Sequence, residues 1–581
     1  MNTSLAKLLT AVLLFMSVNV LGHEPDKAYA AASYYVSPSG QDSSGYGGSP
    51  STPFRTIQYA ADRTNPGDTV YVMNGTYNEI NNQGVFTVTR SGGPDAYITY
   101  TNYPGHTPKL ATSSAWNHIV VSSASHIRIS GFEIAGNNGN LSVSDGEARY
   151  NHFLQHHPTG TVNWAYMAQT NTNGIYIKPV NATAARPTHI IIENNVVHDL
   201  PGGGINTEEA DYITIQNNTV YNNAWYSIYG NSGISVLRSF NSDANTSSYK
   251  FIVRNNKVYN NKGLVRWYEI QNYSDGNGII IDSNKKTEVS GVLTPYTGKT
   301  LITNNVAYNN GGSGIHAYYS ASVDIVNNTS YNNSSQNNYG EIFAHHSDNV
   351  NLHNNIMYAR TGRLLTQNWN NNNVSYNYNI YYNGSPSVSG SNDIYADPLF
   401  YNAATGDLRV HIGSKAIDNG VPALAPDNDF LNNSRPRGFA PDRGAYESQN
   451  IIGNPSFEWG SLTGWSSDQN AAGITAVTGG YSGTHQANFN TTAATALSQS
   501  RIAPTTKMYS VTAYMITNIP SNVKLNIHVN GTAQGSQTVA TGGYNKVTFT
   551  FQANANDTIK VSITAPQHAG GWVCIDNVSV E

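Results

Sequence analysis

NNVVHDL (194–200), NNTVYNN (217–223), NNKVYNN (255–261), NNVAYNN (304–310), NNTSYNN (327–333) and NNIMYAR (354–360) are six versions of one phrase. They start 23, 38, 49, 23 and 27 residues apart. A base unit of about 23 residues with insertions marks a repeat architecture, in which each unit buries its apolar face only against its neighbours. The unit is rich in β-branched residues and Asn/Gly turns and has no helical period, so it reads as one coil of a parallel β-helix. Asn tolerates the left-handed conformation at corners, and stacked Asn amides can hydrogen-bond from coil to coil.

A second pattern runs in step with the first. Gly-Ile recurs at Gly174-Ile175, Gly204-Ile205, Gly233-Ile234, Gly278-Ile279 and Gly314-Ile315, followed by Glu341-Ile342. Each step opens a short alternating run, which is a strand signal. If each Ile points inward, so do Ile177, Thr207, Val236, Ile281, Ala317 and Ala344. The outward positions are then Tyr176, Asn206, Ser235, Ile280, His316 and Phe343, and, two residues on, Lys178, Glu208, Leu237, Asp282, Tyr318 and His345. Arg238 follows Leu237. Ionisable and hydroxyl groups thus collect on one face of a stacked sheet, and that stripe is the candidate active site. The register is an inference, and a slip of one residue would turn every outward group inward.

Before the coils, Lys7, an apolar run from Leu8 to Val20 and Ala28-Tyr29-Ala30 predict a secretory signal over 1–30. The mature protein is expected to be secreted, soluble and monomeric, with no membrane span. A net charge of −5 and only 12% charged residues argue against a nucleic-acid binder. The single cysteine, Cys574, excludes an internal disulfide and reads as a small buried hydrophobe.

The opening, with Pro53-Phe54-Arg55-Thr56-Ile57 leading into a short helical run and then Asn65-Pro66-Gly67-Asp68, predicts a helix capping the first coil. It resembles the start of secreted right-handed parallel β-helix proteins, among them pectate lyases and related polysaccharide lyases and hydrolases. DIYADPLF (393–400), GDLRVHIGSKAID (406–418) and RPRGFAPDRGAYE (435–447) resemble their closing segment. The resemblance implies an all-β catalytic domain over 31–447 and a polysaccharide substrate. The aspartate cluster with a following lysine that marks pectate lyases is missing; Ser274-Asp275-Gly276-Asn277-Gly278 is the nearest phrase, with Asp275 a candidate ion ligand. The stretch Asn138 to Thr172, with His152, His156, His157, Trp164 and Tyr166, reads as a long loop walling a cleft. The adjacent histidines are weak evidence for a metal site.

Beyond Glu447, alternating strands with Gly/Asn turns predict a β-sandwich over 448–581. NPSFE (454–458), Gly464-Trp465 and DNVSV (576–580) resemble jelly-roll carbohydrate-binding modules. Trp459, Trp465, Tyr481 and Trp572 are candidate sugar platforms, and Glu458 with Asp576 a candidate calcium pair; buried core tryptophans are the alternative for Trp465 and Trp572.

Two chemistries fit the stripe. A lyase acting on a uronate polymer needs positive charge or base from Lys178, Arg238 or His316, an acid such as Tyr176 or Tyr318, and a neutraliser, which calcium on Glu208 or Asp282 could be. No organic cofactor is implied. An adjacent Glu208 would raise the Lys178 pKa, which opposes its use as a base. An inverting hydrolase would use Glu208 and Asp282, two coils and about 9.6 Å apart. Asn206 and His345 are further substrate contacts or bases. Cations, His and Tyr outnumber carboxylates, which favours the lyase. A third reading is a non-catalytic polysaccharide-binding protein, with an aromatic and amide stripe lacking paired ionisable groups.

Overall fold

The computed structural model describes residues 30–78, 83–286, 288–289, 292–467 and 474–581, so the signal segment lies outside the described residues apart from Ala30. Each regular coil begins with a long strand such as Asp211–Gln216, turns at an Asn-Asn step, and continues as a three-residue strand such as Thr219–Tyr221. After a variable loop comes a four-residue strand such as Ile234–Leu237. Repetition stacks these into parallel sheets of eleven, eleven and nine strands. The inward residues form one continuous core, in which Ile177, Val236, Ile281, Ala317 and Ala344 are fully buried.

The two residues of each Asn-Asn step divide the work. The first takes the left-handed conformation, with φ of 57° at Asn194 and Asn217, 55° at Asn255 and 54° at Asn304 and Asn327. The second points inward and carries the coil-to-coil bond. Asn195 donates from backbone and side chain to Asn218 Oδ1 at 3.0 and 3.1 Å, Asn218 to Asn256, and so on through Asn305, Asn328 and Asn355 to Asn379. A second ladder of the same kind runs Asn223–Asn261–Asn310–Asn333 at the next corner. The rings between the two corners also stack: His198, Tyr221, Tyr259 and Tyr308 follow one another at 4.9, 4.8 and 4.7 Å, nearly parallel.

The Ile57–Ala61 helix, N-capped by Thr56, packs on the first coils through Ile57, Ala60 and Ala61. The stretch expected as a loop is instead helical: Val143–His156 and Trp164–Ala168 are helices, the first opened by a capping box between Ser142 and Asp145. Past the last coil, Leu408 and Ala445 cover Val306 and Tyr308, and the ion pair Arg435–Glu447 at 2.9 Å is fully enclosed. Two five-stranded antiparallel sheets follow and enclose a separate core. No helix among the described residues is long and apolar enough to cross a membrane.

Asn256 accepts the Asn218 N–H and donates to the Ile215 carbonyl, both buried. Asn256→Ala should therefore lower unfolding free energy by about 2–5 kcal/mol, the cost of orphaning two such groups. Denaturant titration would show this as a lower midpoint with little change in slope.

Candidate functional site

The Gly-Ile strands lie side by side in chain order, with Ile175, Ile205, Ile234, Ile279, Ile315 and Ile342 in register. Glu208, Leu237, Asp282, Tyr318 and His345 are aligned across neighbouring coils. These outer positions, with Lys178, are all partly exposed. The inner outward positions differ from expectation: Tyr176 is partly exposed, but Asn206, Ser235, Ile280, His316 and Phe343 are 2–5% exposed. They point away from the core yet are covered: Asn206 donates to Asn173, and His316 stacks on Phe343 at 4.6 Å.

Coil spacing separates the stripe into two groups. At about 4.8 Å per coil, Lys178 and Tyr318, four strands apart, lie about 19 Å from each other and cannot serve the same bond. The first group is Lys178, Tyr176, Glu208 and Arg238. The Tyr176 hydroxyl donates to Glu208 Oε2, and the Arg238 guanidinium pairs with Glu208 Oε1. Arg238, in the left-handed conformation just past its strand, keeps its side chain 48% exposed, so donors remain for a ligand. Lys178 Nζ sits 5.0 Å from the Tyr176 ring centre. Burial lowers the Lys178 pKa below that of an ordinary amine, and burial likewise raises the Tyr176 hydroxyl. The expected upward pull of Glu208 on Lys178 is absent, because the carboxylate is already held by Arg238 and Tyr176.

The second group is Asp275, Asp282, His316, Tyr318, Tyr339 and His345. Burial, then the charge of Asp282, pushes the Asp275 carboxyl up to about 7. Asn277 Nδ2 donates to Asp275 Oδ1 at 3.1 Å, the Ser313 hydroxyl donates to Asn277 Oδ1 at 3.1 Å, and His316 Nδ1 lies 2.6 Å from that hydroxyl. With the Ser313 proton spent on Asn277, His316 Nδ1 must be the donor, which leaves Nε2 bare. Burial, then His345, pushes the His316 pKa down to about 3. Tyr318 is raised by burial, then by Tyr319 and Asp282, and lies 5.5 Å from His345; the His345 pKa is lowered by burial and then by His346. His346 marks the bend, with φ of 53°, and stacks on Tyr319.

The sequence marks Asp275 only as a candidate ion ligand and does not single out Ser313 or Tyr339, nor Asn277 as the partner of Asp275. A signal was there: the residue before the Gly of the step is Asn173, Ser232, Asn277 and Ser313 in four of the six coils, and these side chains form the polar seam beneath the loops.

Three of the carboxylates expected as calcium ligands, Glu208, Glu458 and Asp576, are engaged by protein donors. Glu208 is filled by hydrogen-bond donors. Glu458 accepts from Thr484 N, His485 N and the Thr484 hydroxyl at 2.7–2.8 Å, and Asp576 accepts from Ser482 N and Asn577 N. Carboxylates ringed by N–H and O–H donors do not present free oxygens to a cation. No group of three or more His, Cys, Asp or Glu among the described residues is arranged to hold a metal. In the sandwich, Trp465 is a correction: it is 8% exposed, packs on Phe457 and donates its N–H to the Asn454 carbonyl, so it offers no face to a sugar. Trp572 is 37% exposed, and Tyr481, 49% exposed, stacks on Tyr514 at 3.9 Å.

Residues 34–355 match the family described as "Pel9A-like, right handed beta helix region". No curated protein sequence matches. Among solved structures, the chain is similar to the pectate lyase Pel9A, at 17% identity over 72% of this chain and 97% of that one, with a TM-score of 0.41. It is also similar to TmCBM61, solved with β-1,4-galactotriose, at 20% identity over 23% of this chain and 99% of that one, with a TM-score of 0.20. A third is the Azotobacter vinelandii mannuronan C-5 epimerase AlgE4 A-module, at 15% identity over 58% and 90%, with a TM-score of 0.31.

A pKa near 3 keeps His316 neutral throughout the physiological range. Long-range proton–nitrogen NMR on the histidine rings should show one resonance set with Nδ1 protonated and no titration between about pH 5 and 8. Ser313→Ala should upset that tautomer.

Proposed function

The chain belongs to the Pel9A-like right-handed β-helix family, and on that premise we propose an exported polysaccharide lyase that cleaves a uronic-acid-containing chain by β-elimination. The observation that carries the reading is the engagement of Glu208 by Arg238 and Tyr176, beside a desolvated Lys178 amine. Arg238, held by Glu208, is placed to take the substrate carboxylate on its remaining donors, which acidifies the neighbouring ring proton. Lys178 in its neutral form removes that proton; the electron pair forms the C4–C5 double bond as the C4–O bond breaks. Tyr176, on the same strand two residues away, is the group that would return a proton to the departing oxygen. A lowered amine pKa matters here, because an ordinary lysine would be almost wholly protonated at neutral pH. The sandwich would hold the enzyme on the polysaccharide through Trp572 and Tyr481.

A second reading is hydrolysis at the other group. It is favoured by the Asp275 carboxyl, pushed up to about 7 beside Asp282, since a pair of carboxyls with separated pKa values suits a general acid and its partner. The pair first expected, Glu208 with Asp282, loses support because Glu208 is held by Arg238.

Incubation with a panel of acidic and neutral polysaccharides separates the two readings. Elimination should give unsaturated uronates absorbing in the ultraviolet, and Lys178→Ala should lower kcat by about 10²–10⁴-fold. New reducing ends without that absorbance, abolished by Asp275→Asn, would move the chemistry to the second group. For elimination, kcat/KM should rise with pH through the Lys178 pKa, because the base acts only when deprotonated. Arg238→Ala would release Glu208 towards Lys178, raise that pKa and shift the rising limb to higher pH.

A further inference from the structure

The outward column that carries Lys178, Glu208, Leu237 and Asp282 does not stop at His345. The Asn368–Trp369 strand forms one end of the nine-stranded sheet, and Trp369 pairs in register with His345, as His345 does with Tyr318 and Tyr318 with Asp282. The column therefore changes character along its length. Mostly ionisable over its first coils, it ends in three rings on three successive strands.

The ring positions agree with the register. The centres of Tyr318 and His345 are 5.5 Å apart and those of His345 and Trp369 6.2 Å, each near one strand spacing of about 4.8 Å, so the rings stand side by side along the stack. Trp369 meets His345 at 82° and is 66% exposed, so its indole is not closed over by its neighbour.

The row also has a backing. Tyr319 and His346 occupy the bends that follow their strands, with φ of 44° and 53°, and stack on each other at 4.4 Å. Tyr318 meets Tyr319 edge-on at 4.7 Å, and His345 lies 4.6 Å from His346. Lys285 Nζ, paired with Asp348 at 2.6 Å, donates to the His346 carbonyl at 3.2 Å and fixes that bend. Rings held in this way are preorganised for a ligand.

An exposed tryptophan on an edge strand has a purely structural use, as apolar cover for the sheet end. That use needs bulk, but not a flat face in line with Tyr318 and His345. A row of flat faces suits the C–H faces of successive sugar rings. Tyr318 and Trp369 are three and five strands from Glu208, about 14 and 24 Å along the stack. A trisaccharide held at Glu208 is too short to reach Trp369, whereas a decasaccharide is long enough.

We propose that Tyr318, His345 and Trp369 form a stacking subsite for sugar units several residues away from the bond that is cut, so that the enzyme favours long glycan chains over short oligomers. The preference for long substrates rests on the lyase reading, which puts the cut bond beside Glu208; the subsite itself does not.

The test is binding by the full chain carrying Lys178→Ala, to stop cleavage, and Trp572→Ala with Tyr481→Ala, to silence the sandwich. The probes are trisaccharides and decasaccharides prepared from polygalacturonate, alginate and a glucuronoxylan. Expected is a decasaccharide that binds about tenfold or more tightly than the trisaccharide of the same polymer. Adding Trp369→Leu should remove that advantage and leave trisaccharide affinity within twofold, while Trp369→Tyr, which keeps a ring, should retain most of it. Leucine preserves apolar cover, so a cover role alone predicts no change, and unchanged thermal unfolding in both variants excludes a folding defect. With Lys178 restored, Trp369→Leu should raise KM for the decasaccharide about tenfold and leave kcat within twofold. Equal losses on both lengths, an advantage that survives Trp369→Leu, or no length advantage with any probe would overturn the proposal. Length-dependent loss of binding in a chain whose cleavage products lack ultraviolet absorbance would sink the lyase reading and leave the subsite standing.

Discussion

The asparagine side chain that both accepts from the coil below and donates to the coil above is the constraint on which the solenoid depends. A coil of about two dozen residues must reverse direction three times, and each tight corner exposes backbone groups inside the protein that no strand can pair. In the seven-member ladder from Asn195 to Asn379, the amide satisfies those groups and fixes the spacing of successive coils together. Hydrophobic burial opposes a one-residue slip by turning core residues outward, and the ladder opposes it again, because an amide moved by one residue would leave a buried N–H and a buried carbonyl unpaired.

That constraint explains what could be read in advance. The Asn-Asn phrase and the Gly-Ile step are both consequences of corner geometry, so the fold and the strand register were visible in the letters. The second ladder is written there too, in the YNN that ends four of the six phrases. What stayed hidden depends on contacts distant in sequence. Nothing around Glu208 announces that Arg238 and Tyr176 will occupy it, and nothing in Gly464-Trp465 says which side of a sandwich the indole will face. The stretch 138–172 reads as a loop because its polar residues drown a helical signal, although Ser142 and Asp145 have the spacing of a capping box. An outward strand position is also not the same as an exposed one: His316 and Phe343 face away from the core yet are only 5% and 2% exposed.

The outward stripe of the nine-stranded sheet is electrically modest. Its strongest charges are paired, its acids and cations nearly cancel, and its two ionisable groups are separated by a distance longer than one sugar linkage needs.

Both ladders stop in the same manner. The first ends where Asn379 donates to Asp393, and the second where Asn333 donates from backbone and side chain to the two oxygens of Glu341. Each amide in the row needs an acceptor above it, and only the final rung has no further amide to supply one; a carboxylate, which accepts without having to donate, closes the series. The row therefore has a direction, like a sentence with a full stop. Coils between the first rung and the stop are interchangeable in their bonding, so the gene could gain or lose them by duplication or deletion without leaving an unpaired group. A coil added beyond Asp393 would find no rung to join. The length of the coil stack is in this sense an inheritable quantity, adjustable from the middle and fixed at one end.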